Sequence, residues 1–80
     1  MKTYTTTPTS QLKSGMTVHM HGQEFKITSN PVMGSNGNGT FYLVGCEIIT
    51  PMPKGDYMEL LNDLKVIQSN DLATYGVVNN

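Results

Sequence analysis

Two histidines are the residues of this sequence whose type and spacing best suit metal binding. His19 and His21 are two residues apart, and on a β-strand residues i and i+2 point to the same face, so both imidazoles can approach one metal ion. Glu24, on a facing strand, or Cys46 is the candidate third ligand. Two histidines without a spaced third ligand are also common as plain polar residues on the solvent face of a hairpin. The sequence favours that interpretation over a metal site at His19 and His21.

The remaining candidates for chemistry predict neither an active site nor a cofactor. Cys46 precedes Glu47 in an apolar run, where burial and a neighbouring carboxylate raise a thiol pKa and disfavour the reactive thiolate. A buried, small hydrophobic residue is the better interpretation of Cys46. The glycines from Gly34 to Gly39 lack the Lys-Ser/Thr pair of a phosphate-binding loop and open onto no helix. We therefore expect a protein that is not an enzyme.

The strongest pattern is a hairpin from Leu12 to Ile27. Apolar residues alternate with polar ones up to Met20 and again from Phe25, as in two half-buried antiparallel strands. His21 and Gly22 fall at the turn, where glycine takes the positive φ that a tight hairpin needs.

The rest of the chain is interpreted as further strands. The first eleven residues, 1–11, predict either a loose arm or an edge strand, and the polar stretch 29–39, rich in Asn and Gly, predicts a loop without regular structure. A long strand follows over 40–50, with a bend at Gly45. A short helix is expected to begin at Asp56, which is three residues before Glu59 as in a capping box. Strands over 64–68 and 73–78 complete the pattern.

These elements predict one domain over 1–80, all-β or β-rich. We expect about five strands with one short helix, closed into a small barrel because closure removes exposed strand edges. The single cysteine excludes an intrachain disulfide and favours a reducing, cytoplasmic environment. No signal peptide or membrane span is expected, since no apolar run is long enough.

The hairpin and the tail resemble known families. Leu-x-x-Gly-Met-x-Val from Leu12, the turn at Gly22 and Phe25-x-Ile27 resemble the opening hairpin of SH3-like small barrels, including the KOW-type domain of elongation factor P. The stretch 66–72 is similar to the step between the last two strands of SH3 domains. The resemblance implies an SH3-like barrel. The lysine-bearing loop of elongation factor P is not matched, nor is the tryptophan-lined peptide groove of signalling SH3 domains, so neither function is implied.

A second resemblance concerns partners. The tail over 67–75 resembles the ends of short uncharacterised bacteriophage proteins, which implies an accessory protein that docks on a host protein and modulates or inhibits it. Flexible methionines and tyrosines suit adaptable contact surfaces. The sequence predicts a partner surface composed of Val32, Met33, Tyr42, Met52 and Tyr57. Filling of gaps in the core is an equally good interpretation of these residues, and a homodimer formed through strand edges is a further expectation.

Nucleic acid is the alternative partner. The net charge is −1, with five basic residues, all of them lysine, which disfavours phosphate recognition as the main interaction. If the chain does bind nucleic acid, we expect the contacts to come from lysines, with Tyr42 or Tyr57 as stacking platforms. The candidate lysines are Lys13, Lys26, Lys54 and Lys65.

Overall fold

The computed structural model of the chain describes residues 2–79, and Met1 and Asn80 lie outside the described residues. Within 2–79, seven strands form one curled sheet. The strands are β1 (Thr3–Pro8), β2 (Thr17–Met20), β3 (Gln23–Ile27), β4 (Val32–Asn36), β5 (Gly39–Ile48), β6 (Val66–Ser69) and β7 (Thr74–Asn79). Two 3₁₀ helices, Thr9–Gln11 and Glu59–Asp63, connect them.

The predicted hairpin is β2 and β3. They pair antiparallel from Thr17↔Lys26 to Met20↔Gln23, so the loop has two residues. Both loop residues have positive φ, 52° at His21 and 78° at Gly22, as a type I′ turn requires. The turn is therefore where the sequence predicts it, although a histidine as well as the glycine adopts the left-handed conformation.

The prediction of an irregular loop over 29–39 is wrong. Val32–Asn36 forms β4, which pairs with β5 from Val32↔Leu43 to Asn36↔Gly39. The turn signals belong to the tip of this hairpin. There Asn36 Oδ1 accepts the N–H of Asn38 at 2.8 Å, and Gly39 has φ of 121°. Pairing with the strongly β-forming strand β5 overrides the low strand propensity of β4.

Strand β5 belongs to two parts of the sheet, as the bend predicted at Gly45 indicated. Its second half pairs with β3, from Phe25↔Ile48 to Ile27↔Cys46, and its first half pairs with β4. On its other edge, β5 pairs with β6 between Tyr42↔Ser69 and Gly45↔Val66. The hydroxyl of Ser29 accepts the Gly45 N–H at 2.8 Å, between the segments where β3 and β4 pair.

The helix predicted from Asp56 is wrong in type. Glu59–Asp63 is a 3₁₀ helix, and residues 2–79 contain no α-helix. The predicted capping box does not form, because the residue at the N-cap is Met58, without a side-chain cap hydrogen bond. The two carboxylates bond other main-chain groups: Asp56 Oδ1 accepts the N–H of Met58 at 2.7 Å, and Glu59 Oε1 accepts that of Gly55 at 3.2 Å. The segment is too short to pay for helix nucleation on its own. In addition, Asn62 hydrogen-bonds both the N–H and the carbonyl of Met52, which holds it against the preceding segment.

The first and last strands pair with each other. Of the two alternatives for the N-terminal stretch, the structure has the edge strand, because β1 pairs with β7 from Thr3↔Asn79 to Pro8↔Thr74. Thr9, just after β1, is fully buried, and its hydroxyl lies 2.9 Å from the carbonyl oxygen of Asn70 and 3.2 Å from that of Ala73. Ser10 adds two hydrogen bonds to the Asp71 carboxylate. This cluster fixes the β6–β7 turn against the start of the chain.

The sheet order is β1-β7-β2-β3-β5-β4, with β6 on the second edge of β5. The fold is β-rich, as predicted, but it has seven strands rather than about five. Within residues 2–79 the sheet curls into a half-barrel and does not close, since β6 pairs there with β5 alone. The inner face carries the core. Its buried hydrophobic residues are Leu12, Val18, Met20, Phe25, Ile27, Val44, Cys46, Ile48, Ile67 and Val77.

We expect Gly45→Ala to destabilise the protein. A Cβ at position 45 would lie 2.6 Å from Thr28 Oγ1 and 2.7 Å from Ser29 Oγ, and the serine hydroxyl cannot turn away without losing its bond to the Gly45 N–H. The expected cost is about 2 kcal/mol of unfolding free energy, measured by urea denaturation. Gly37→Ala is the control, since a Cβ there meets no atom within 4 Å. Equal stability of the two variants would contradict the close packing at Gly45.

We also expect Thr9→Val to lower the unfolding free energy by about 1–3 kcal/mol, because it removes a buried hydroxyl donor from two carbonyls at nearly constant side-chain volume. Urea denaturation measures the loss. Thr6→Val, at an exposed position of β1, should change stability by less than about 0.5 kcal/mol. A Thr9→Val variant as stable as wild type would show that the hydroxyl does not hold the β6–β7 turn.

Candidate functional site

The outer face of β4, β5 and β6 carries a contiguous apolar surface. Directly opposed residues of antiparallel strands lie on the same face, and the register opposes Val32 to Leu43, Gly34 to Phe41 and Gly45 to Val66. Val32 is 63% exposed, Leu43 38% and Val66 51%. We call Val32, Phe41, Leu43 and Val66 the outer apolar face. The Phe41 ring packs directly on Gly34, where a Cβ would lie 2.7 Å from the ring.

Strands β2 and β3 of the same sheet have a polar outer face, while β1 and β7 place Tyr4 opposite Val78 on that side. There His19 opposes Glu24 and Lys26 opposes Glu47. Lys2 Nζ donates to Glu24 Oε1 at 2.5 Å, and this hydrogen bond raises the pKa of Lys2. A solvated antiparallel sheet normally alternates apolar-in and polar-out, as β2 and β3 do. The outer apolar face departs from that rule over three adjacent strands.

The predicted partner residues are not brought to one surface. Met33 opposes Tyr42 on the inner face of the β4–β5 hairpin, whereas Val32 points to the outer face. Met52 is partly buried and packs against the core, and Asn62 hydrogen-bonds its main chain. Tyr57 is 89% exposed beside the second 3₁₀ helix. Of the five, only Val32 belongs to the outer apolar face.

Sequence reasoning missed Leu43 and Val66. A signal for them was present. Neighbouring residues of a strand point to opposite faces, so Leu43 lies on the other face of β5 from Val44, and Val66 lies on the other face of β6 from Ile67. Val44 and Ile67 are buried and opposed to each other. Apolar residues on both faces of a strand indicate either that both faces are buried or that one apolar face is exposed.

A cleft of about 420 Å³ opens where the half-barrel fails to close. We call it the seam cleft. Strands β2 and β7 pair only at Val18↔Val77 and His19↔Gly76, so Met20 and Tyr75 have no register partner across the gap. The unpaired edge of β6 forms the remaining side. Both predicted histidines, His19 and His21, line this cleft.

The histidines do not form a metal site of the expected kind. His21 lies in the turn beyond β2 with φ of 52°, so the i, i+2 strand geometry does not apply. The His19 ring packs 5.6 Å from the ring of Tyr4, and Glu24 pairs with Lys2. Cys46 is in the core, on the opposite face of the sheet from His19. Across residues 2–79, no group of three or more His, Cys, Asp or Glu side chains is arranged to hold a metal ion.

The four candidate lysines lie on separate elements. Lys26 opposes Glu47 in the β3–β5 register, and Lys65 Nζ lies 3.7 Å from the same carboxylate. The negative charge of Glu47 therefore lies between Lys26 and Lys65. Lys13 lies near the end of β7, and Lys54 is in the segment between β5 and the second 3₁₀ helix. This arrangement does not form the continuous basic track that a single strand of nucleic acid follows.

Cys46 is buried in the core at 2% exposure, and its thiol lies 3.8 Å from the carbonyl oxygen of Leu64. Burial raises the pKa of Cys46, and the nearby Lys65 charge opposes this only in part. Burial therefore keeps the thiol protonated and out of reach of reagents.

No helix in the described part of the chain is long and apolar enough to span a membrane. No protein-family model matches the chain, and neither curated proteins nor solved structures give a significant match. The resemblances to SH3-like barrels and to phage proteins therefore stay predictions.

We expect Cys46 to resist alkylation in the folded protein. With iodoacetamide at pH 8, followed by mass spectrometry, labelling should be at least about 100-fold slower than in 8 M urea, because a buried, protonated thiol reacts only through opening of the fold. The urea sample is the control for intrinsic reactivity. Comparable rates in the two conditions would mean that Cys46 is accessible and that the nucleophile interpretation must be reopened.

Proposed function

We propose that this chain is a non-catalytic protein-binding domain that docks on a partner protein through its outer apolar face. The observation that carries the proposal is a contrast within one sheet. Strands β2 and β3 have a polar outer surface, whereas β4, β5 and β6 expose Val32 opposite Leu43, with Val66 diagonally next to Leu43. Isolated exposed apolar residues are normal on a protein surface, whereas contiguous ones mark interaction sites.

The composition around this face fits the anatomy of a protein interface. Its centre is aliphatic and aromatic, and its border carries Gln68, which opposes Leu43, and the Lys65–Glu47 ion pair. Interfaces typically have a desolvated apolar centre inside a polar rim. The partner that fits this arrangement is a protein with an exposed apolar patch, because an acidic or basic surface would leave its own charges buried against aliphatic side chains.

The rigidity of the face supports the same function. Leu43 lies on β5, the central strand of the three, which pairs with β4 on one edge and with β6 on the other. The Phe41 ring is seated on Gly34. A surface already held in its binding conformation loses little conformational entropy on association.

The proposed setting follows the phage resemblance. A small accessory protein made in a bacterial cytoplasm would meet a host protein there and modulate or inhibit it by occupying its apolar patch. The SH3-like character of the half-barrel belongs to the same proposal, and its support is the β2–β3 hairpin with its tight turn.

The test is affinity capture from bacterial lysate with matched variants. We expect wild type to capture a stoichiometric protein that survives nuclease, and Val32→Thr/Leu43→Thr/Val66→Thr to bind that protein at least about tenfold more weakly, since each substitution removes apolar area at the centre of the interface. Threonine preserves the β-branched shape and strand propensity at both valines. Circular dichroism and urea denaturation verify that the triple variant is folded.

The matched control is Leu60→Thr/Leu72→Thr, which removes two leucines that are 80% and 93% exposed but lie outside the outer apolar face. It should bind as wild type does. Equal capture by wild type and the triple variant would refute docking through this face, and loss of every partner on nuclease treatment would favour nucleic acid. A wild-type homodimer that dissociates in the triple variant would identify a second copy of the chain as the occupant instead.

A further inference from the structure

The seam cleft differs chemically from the outer apolar face. Its floor is formed by side chains from the inner face of the sheet. Met20 and Ile67 are 7% and 6% exposed, and partly buried Leu64 and Tyr75 pack against the same core. This floor offers apolar and aromatic contact at the bottom of a depression that is open to solvent.

The rim of the seam cleft is polar. His19 and His21 line one side of the cleft, and Gln68 of β6 and Thr74 of β7 line the other sides. No lysine, aspartate or glutamate of the described residues lines the cleft. An amide supplies a donor and an acceptor, while a hydroxyl or a neutral imidazole supplies one of each. The rim can therefore both donate and accept hydrogen bonds.

Main-chain groups add to this capacity. The β2–β7 register ends at His19↔Gly76, although β7 continues to pair with β1 as far as Thr74. Strand β6 pairs only with β5. Alternate main-chain groups along an edge strand point away from its single neighbour, so those of β6 face the gap. Three strand edges thus converge on one depression.

We propose that the seam cleft binds a small, uncharged heteroaromatic molecule with hydrogen-bond donors and acceptors on its edge, of the nucleobase class. Its volume of about 420 Å³ lies within the usual range for small-molecule sites, which combine an apolar lining with a few polar groups. The ring of Tyr75 and the imidazoles provide stacking surfaces for a planar ring, and the Gln68 amide matches the paired donor and acceptor of a base edge.

The absence of lysine and arginine along the cleft favours a neutral ring over a phosphate or carboxylate ligand. Anion sites in proteins use Arg, Lys or a helix N-terminus, and the residues that line the seam cleft provide none of these. Ligand binding in the seam cleft does not require the proposed docking function, although the cleft shares Val66 with the outer apolar face and Gln68 with the border of that face.

The experiment is an NMR titration of the ¹⁵N-labelled protein with adenosine, guanosine, cytidine and uridine, with ribose as the non-aromatic control. We expect at least one nucleoside to give saturable shifts that are concentrated in the amides of 19–21, 66–68 and 74–75, while ribose gives none. Gln68→Ala should weaken that binding about fivefold, the loss expected for one neutral hydrogen bond. Gln11→Ala, at an exposed position of the first 3₁₀ helix, should leave the affinity unchanged.

A second arm compares the best nucleoside with its 5′-monophosphate. Equal or weaker binding of the monophosphate supports recognition of the ring. Much tighter, salt-sensitive binding of the monophosphate would overturn the proposal and identify an anion site. The absence of saturable shifts for all four nucleosides, or shifts centred outside the three segments, would overturn it as well.

Discussion

The division of β5 between different partners is the constraint on which the rest of the fold depends. A ten-residue strand that paired along its whole length with one neighbour would give one continuous twisted ribbon. Here the same edge of β5 pairs with β3 and then with β4, and the Thr28 and Ser29 side chains fill the position where a Cβ at Gly45 would be. The sheet bends at that point, so Phe25 and Ile27 come to face Val44 and Ile67 across a common core. The outer apolar face and the seam cleft both result from this bend.

The local sequence pattern was sufficient to predict the parts of the fold in which apolar and polar residues alternate regularly. The β2–β3 hairpin, the long strand β5 and the burial of Cys46 are of this kind, since alternation and tight-turn chemistry act over a few residues. Strand β4 could not be recognised, because Gly34, Ser35 and Asn36 are poor strand formers. Their pairing depends on a strongly β-forming neighbour across the turn. The second 3₁₀ helix likewise depends on a tertiary contact, the hydrogen bonds between the Asn62 side chain and the main chain of Met52.

The candidate sites were harder to predict than the strands. Whether Val32 and Met33 share a surface depends on β4 being a strand, and once it is a strand they must lie on opposite faces. The two histidines were recognised as neighbours, but the reason they meet is the early end of the β2–β7 pairing, which no spacing in the sequence encodes. Barrel closure was expected from the need to protect strand edges. The structure instead leaves β6 with one free edge beside two histidines and a tyrosine.

The pairing of β1 with β7 also affects how the protein folds during synthesis. Thr3 and Asn79 are register partners, so β1 has no sheet neighbour until β7 has left the ribosome, and β2 lacks one of its two neighbours for the same time. The buried Thr9 hydroxyl likewise waits for the carbonyls of Asn70 and Ala73. At about 5–20 residues per second, translation of the intervening chain takes several seconds, during which the β2–β3–β5 unit can form but the sheet cannot be completed. High sequence separation between paired strands also slows folding after release.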